Sequence, residues 1–220
     1  MMSTNMAVRS TNKVILDELD RLYPEAGPEL HFTNPYETLV AVMLSAQCTD
    51  RQVNKVTPQV FAKYPDIQSM AVADPNELFE LVKSCGFKSK AGNIIRSCAI
   101  IVEQFDGKVP KTMEELTSLP GVGRKTANVV MASAYGIPAL AVDTHVFRVS
   151  NRLGIAKAES VEKTEDQLKK AIPKELWITA HHWLILHGRR VCKAQKPMCE
   201  TCTLKECCKA YNGQKKEPKR

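Results

Sequence analysis

The sequence predicts an all-α protein, and three observations carry that expectation. Apolar residues recur at helical spacing in segment after segment. Helix-opening signatures precede several of those segments. No stretch alternates apolar and polar residues for a useful strand length. At 220 residues and 44% hydrophobic, the chain can bury a real core as one large or two small domains.

Asn12 is placed to cap the run KVILDELDRLY, which ends at Pro24; the polar MMSTNMAVRSTN before it lacks the apolar core of a secretory signal and reads as a frayed tail. Asn34-Pro35-Tyr36-Glu37 supplies a cap, a proline at the first helical position and a glutamate at the third, opening ETLVAVMLSAQ. Asp74-Pro75-Asn76-Glu77 repeats that signature before LFELVKSC, and Gly86 ends the helix. Ser89 to Phe105 is amphipathic and stops at Asp106-Gly107. Thr112 and Glu115 have capping-box spacing, and Ser160 to Ala171 and Lys174 to Leu186 complete the series. The loop from Pro24 to Asn34 and the turn at Gly136 to Pro138 are the natural hinges. They predict one module over 28–137 and a second from 1–27 plus 138–220.

The chain is organised around Leu119 to Val130, LPGVGRKTANVV. Pro120-Gly121-Val122-Gly123 joins two helices and is too short for anything but a tight hairpin, so 112–135 reads as a helix-hairpin-helix. Glycines there permit φ > 0 and let another molecule approach the bare backbone. The next residues open a helix, whose unpaired N–H groups and positive dipole end make a seat for phosphate. Arg124 and Lys125 follow at once. The plainer reading is an αα-corner whose glycines serve only the turn.

Charged residues are 25% of the chain, and no apolar run approaches the roughly 18 residues a bilayer span needs, which argues against a membrane protein. The formal net charge is +7, and the stretch from Gly188 to Arg220, with ten Lys/Arg against three Glu, carries all of it. A basic terminal segment on a neutral body suits a polyanion such as nucleic acid. For the last residues, NGQKKEPKR, a solvated tail is the simpler reading.

Cysteine use is uneven. Cys48, Cys85 and Cys98 lie scattered in helical patterns, where small buried thiols are ordinary. The other five fall between Cys192 and Cys208, with Cys192, Cys199, Cys202 and Cys208 spaced C-x6-C-x2-C-x5-C. Nothing suggests secretion, so a metal site accounts for them better than disulfides do. Four thiolates suit tetrahedral zinc or a [4Fe–4S] cluster, and Cys207 competes with Cys208 for the fourth place.

Taken together, LPGVGRKTANVV, AVDTH (Ala141 to His145), HHWLILHGR (His181 to Arg189) and the cysteine spacing resemble the endonuclease III family of DNA glycosylases and AP lyases. LSAQCTD (Leu44 to Asp50) and CGFKSKAGNI (Cys85 to Ile94) fall in the same order, so the likeness runs from about Leu16 to Cys208. The resemblance implies a six-helix barrel module with the helix-hairpin-helix, and a second helical module carrying a [4Fe–4S] cluster on Cys192, Cys199, Cys202 and Cys208. It favours iron–sulfur over zinc and Cys208 over Cys207. The cluster would hold a basic loop (Arg189, Arg190, Lys193, Lys196) against the phosphate backbone, with DNA across the groove between the modules. Implied partners are duplex DNA with damaged bases or abasic sites and no membrane; a cytoplasmic, nucleoid-associated monomer is expected.

Removing a base and then breaking the strand needs an amine nucleophile and a carboxylate. Attack of the amine on C1′ leaves a Schiff base, which acidifies a neighbouring sugar proton for β-elimination. Lys125 is placed for this; its plainer role is a phosphate contact. Asp143 follows by 18 residues. The intervening helix rises roughly 16 Å, and 136–143 can return up to about 26 Å, so Asp143 can reach the start of that helix. Its plainer role is an N-cap for Thr144 onward. The resemblance has it stabilise positive charge at C1′ and assist proton transfer. A base in the stack must be turned out of the duplex, leaving a gap. The resemblance puts Gln47 in that gap, with Phe87 as second wedge where relatives often have leucine; ordinary loop packing is the alternative for both. Gly121, Val122, Gly123 and Arg124 contact DNA in this scheme, and His145 faces the active site beside Asp143. His182 and His187 read as packing and hydrogen-bonding residues near the cluster. A monofunctional mismatch glycosylase and a non-catalytic iron–sulfur DNA-binding protein stand as alternatives.

Overall fold

The computed structural model describes residues 2–214 and contains helices and no strand among them. In order, they are α1 (Met2–Leu22), α2 (Pro35–Ser45), α3 (Asp50–Lys63), α4 (Ile67–Ala71), α5 (Pro75–Val82), α6 (Lys88–Gln104), α7 (Met113–Ser118), α8 (Arg124–Tyr135), α9 (Thr144–Leu153), α10 (Val161–Ala171), α11 (Trp177–Arg190) and α12 (Lys209–Gln214). Single 3-10 turns follow α5 (Lys83–Cys85) and precede α11 (Lys174–Leu176).

The expected caps act as hydrogen-bond acceptors. Asn34 Oδ1 receives the Glu37 N–H at 2.9 Å, while the Glu37 carboxylate reaches past the cap to the Thr33 N–H at 2.7 Å. Asp74 Oδ1 takes the N–H groups of Asn76 and Glu77 at 2.8 and 3.0 Å. Thr112 and Ser160 accept from Glu115 and Lys163 in the same way.

Three elements depart from the sequence expectation. Asn12 caps nothing: it lies inside α1, because no proline or glycine interrupts Met2–Leu22 and the helix extends through the stretch read as frayed. Helix α3 was hidden by Pro58, although Val53, Val56, Thr57 and Val60 form a buried stripe at helical spacing. A short α12, Lys209–Gln214, lies within the basic terminal segment and takes in the first residues of the stretch NGQKKEPKR. The tail beyond it, 215–220, lies outside the described residues.

The chain divides into two compact units, one from Pro28 to Ala139 and one formed by the chain through Gly27 together with Leu140 onward. In the first, the apolar α2 is buried along most of its length and packs with α3, α6 and α8; Ile94, Ile101, Leu116 and Val130 close the core. The buried Tyr36 and the half-buried Tyr135 donate their hydroxyls to Tyr64 O (2.8 Å) and Val109 O (2.5 Å), so both phenols are satisfied. In the second unit, α1 packs against α11 and α9 against both α11 and α10. Ile15, Leu19, Val146, Val149, Leu168 and Leu184 are fully buried there.

Candidate active site and metal-ligand loop

The hairpin between α7 and α8 is held from below. Val122 is buried, its N–H bonds to Leu119 O at 3.1 Å, and the buried Ser97 hydroxyl donates to Pro120 O at 2.9 Å. Gly121 takes φ +78°, and an added Cβ would lie 2.7 Å from Asn93 Nδ2, so both conformation and space demand glycine. Gly123 differs from expectation: its φ is −90° and nothing lies within 4 Å of an added Cβ. It serves instead as the N-cap of α8, with no side chain to cover the first N–H groups. Arg124 and Lys125 follow in the first turn, both exposed.

In the same unit, Ala46 caps the C-terminus of α2 and borders one cavity with the hairpin's Gly121, and Gln47 turns the chain with φ +58°, exposed. Phe87 sits at the N-cap of α6 and is 79% exposed, unusual for a large apolar ring.

In the other unit, Asp143 caps α9. Its Oδ1 accepts both the His145 and the Val146 N–H at 2.8 Å, which leaves Oδ2 for other work. The carboxylate is half-buried. His145 is half-buried against α11, where an added Cβ at Gly188 would meet its Nδ1 at 3.0 Å. Burial lowers the pKa of this imidazole, the Asp143 charge opposes the shift, and Arg148 and Arg189 reinforce it. Arg148 Nη2 lies 3.1 Å from His145 Nδ1 and 3.0 Å from Gly188 O, while its Nε donates to Cys192 O at 3.1 Å.

Cys192, Cys199, Cys202 and Cys208 border one cavity, whose wall also includes Leu153, Val191, Pro197 and Met198 along with His187, Lys205 and Tyr211. Cys207 borders a different one, with Asn12, Gly154 and Asn212. All are free thiols. His187 is buried with its Nδ1 3.1 Å from the Tyr23 hydroxyl and its Nε2 3.8 Å from Cys202 Sγ. Arg152 reaches Lys193 O (2.7 Å), Ala194 O (3.0 Å) and Cys192 Sγ (3.6 Å), clamping the start of the loop. Among the described residues no three His, Cys, Asp or Glu side chains converge as ligands of one metal ion. A mononuclear zinc site, with Zn–S near 2.3 Å, needs sulfurs within about 4 Å of one another. A polynuclear cluster gives each thiolate its own iron and tolerates a wider ring. Four cysteine thiols around one cavity are a donor set suited to a thiolate-ligated metal centre, an iron–sulfur cluster included.

Arg148 and Arg152 went unnoticed in the sequence because a lone arginine on an amphipathic helix looks like any solvated charge. In the HH pair, His181 Nδ1 pairs with Ala141 O at 2.8 Å, and its ring meets that of His182 edge-on. Lys125 and Asp143 belong to different units.

Residues 40–174 match the family described as "HhH-GPD superfamily base excision DNA repair protein". The chain is 52% identical over 196 residues to endonuclease III of Synechocystis sp., covering 88% of this chain and 90% of that protein. It is 45% identical to endonuclease III of Escherichia coli K12 over 195 residues, 88% of this chain and 92% of the relative. Among solved structures, a non-covalent endonuclease III–DNA complex superposes with a TM-score of 0.89 at 45% identity, covering 95% of this chain and 99% of that one.

Proposed function

The chain belongs to the endonuclease III family of the HhH-GPD superfamily, and from that membership we infer that it is a bifunctional DNA glycosylase and AP lyase of base excision repair. One observation carries the reading: a chain 52% identical to an endonuclease III places a lysine in the first turn behind a glycine-capped hairpin. A solved endonuclease III is described as a trapped covalent intermediate with DNA, the kind of species an amine nucleophile forms.

Lys125 is the nucleophile. Its neutral Nζ attacks C1′ of the damaged nucleotide as the C1′–N bond breaks and the base leaves, taking up a proton. The attached amine then gives up a proton and its lone pair breaks the C1′–O4′ bond, O4′ taking up a proton; the resulting iminium acidifies the C2′ proton, whose loss expels the 3′ phosphate and cuts the strand. Asp143 stabilises positive charge developing at C1′ and assists proton transfer, a role supported by its second carboxylate oxygen being left over from capping. Gly121, Val122, Gly123 and Arg124 seat a backbone phosphate on the α8 N-terminus. Gln47 and Phe87 fill the gap left by the extruded nucleotide, and His145 lies beside Asp143 on the DNA side. Oxidised pyrimidines in duplex DNA are the substrate class, and the protein works as a monomer on the nucleoid. Residues 28–137 act as the barrel module, and the remainder as the iron–sulfur module.

Cys192, Cys199, Cys202 and Cys208 hold a [4Fe–4S] cluster, a reading supported by family membership and by the one cavity that all four thiols border. When bound, the cluster supplies a structural and electrostatic tie rather than a reacting group. Arg152 and Arg148 keep the loop's first residues in place, which sets Lys193 and Lys196 toward phosphate.

The test is borohydride trapping on a duplex with one abasic site. A covalent adduct with the wild-type protein that disappears in Lys125→Ala is expected. No adduct, from cluster-bearing protein that binds DNA, would overturn the lyase assignment in favour of a monofunctional or non-catalytic protein.

A further inference from the structure

Lys90, in the first turn of α6, directs its ammonium at three backbone carbonyls: Leu44 O at 3.0 Å, Ala46 O at 2.7 Å and Cys85 O at 2.5 Å. An ammonium has three N–H donors and no acceptor, so this set uses all of them. The charge is half-buried, and burial lowers its pKa below the usual lysine range, against the opposing influence of the Cys48 and Cys85 thiols.

The identity of the carbonyls matters. Ala46 O belongs to the peptide leading into Gln47, whose φ is +58°. Cys85 O belongs to the peptide leading into Gly86, whose φ is +140°. The first is costly for a residue with a side chain, and the second is open only to glycine. One ammonium therefore fixes the peptide plane ahead of each of two unusual turns, one presenting Gln47 and the other Phe87. An added Cβ at Gly86 would lie 2.9 Å from Nζ, so this glycine also makes room for the clamp. A cavity of about 170 Å³ opens beside it, lined by Met43, Ala46, Phe87, Asn93 and Gly121. A second tie, Gln52 Nε2 to Ser84 Oγ at 2.8 Å, joins the same two segments from the α3 side.

We propose that Lys90 is a positioning residue for base extrusion: it locks the Gln47 and Phe87 turns in one register, so that both side chains enter the duplex together. The lysine itself contacts no DNA in this scheme, because its donors are already taken. Extrusion costs base stacking, which preset wedges offset better than wedges that must be ordered at that moment. The inference rests on the reading of Gln47 and Phe87 as side chains that enter the duplex.

Lys90→Met keeps the stem and removes all three donors. Two substrates separate the steps: a duplex with one oxidised thymine, and a duplex with a preformed abasic site, which has no base to extrude. Single-turnover base release is expected to fall by about tenfold or more, while nicking of the abasic duplex stays within about threefold of wild type. The salt dependence of DNA binding should keep its slope, whereas a lost phosphate contact would reduce that slope by about one. Equal losses on both substrates, no loss on either, or a reduced slope would overturn the proposal. If Lys90→Met does not melt cooperatively, Lys90→Gln, which retains two N–H donors, is judged by the same criteria; failure of both to fold would assign Lys90 to general stability instead. A wild-type protein that releases no base and forms no borohydride adduct would overturn the functional reading itself, before any Lys90 comparison.

Discussion

Asp143 caps α9 and, in the proposed mechanism, also serves the chemistry, two roles that one substitution separates. Its Oδ1 caps α9 through two 2.8 Å hydrogen bonds. Asparagine caps helices about as well as aspartate, so Asp143→Asn should leave stability within about 0.5 kcal/mol. Base release should be lost while DNA affinity survives, as read by glycosylase assay and gel shift; unchanged base release would remove Asp143 from the chemistry. The two hairpin glycines should likewise respond differently. Gly121→Ala must adopt φ +78° and displace Asn93, and should cost about 1–2 kcal/mol in a denaturant titration. Gly123→Ala meets neither obstacle and should cost less than half as much, since alanine is only a poorer N-cap than glycine. Equal penalties would mean that the turn is relaxed differently in solution.

At the scale of elements, capping and close packing decide the helices. Asp74→Ala leaves two N–H groups of α5 without their acceptor and should lower stability by about 1 kcal/mol. Helix α11 carries an acid-sensitive group in His182, whose imidazole is pushed down to about 4 by burial and by its neighbour His181. The sign follows directly. Between about pH 6.5 and 4 the unfolded chain takes up a proton that the folded chain refuses, so stability falls as pH drops through that window and is flat above it. His182→Gln removes this titration. Its melting temperature should decline less steeply from pH 6.5 to 4.5 than that of wild type, by the equivalent of roughly 1–2 kcal/mol. Parallel acid limbs for the two proteins would show that His182 is charged in the folded state. Caps such as Asn34, Asp74 and Ser160 were legible in sequence because donor and acceptor lie within three residues of each other. Helix α3 was not, because Pro58 masked a stripe whose burial depends on what packs against it.

For the whole molecule, the cysteine loop is the element with least core of its own. Its backbone is tied by Arg152 to Lys193 O and Ala194 O, and Leu204 is the one residue of the segment 193–206 that is fully packed into the unit's core. If the proposed cluster is present, its oxidative loss followed by chelation of iron should bleach a brown chromophore and weaken DNA binding, while the Pro28–Ala139 unit keeps its helical signal in circular dichroism. DNA affinity unaffected by complete iron loss would exclude the loop from the DNA contact. By itself the sequence determined the all-helical class, most helix starts, the hairpin at Pro120–Gly123 and the family, since each is written in contacts or motifs that span a few residues. Only the tertiary structure decided that Cys207 borders a different cavity from its neighbour Cys208, that Gly121 but not Gly123 needs a positive φ, and that Arg148 and Arg152 serve the loop. It alone placed the Lys90 ammonium on carbonyls 5, 44 and 46 residues away. A side chain's type is local information, but its partners are set by the path of the whole chain, and no spacing rule reaches that far.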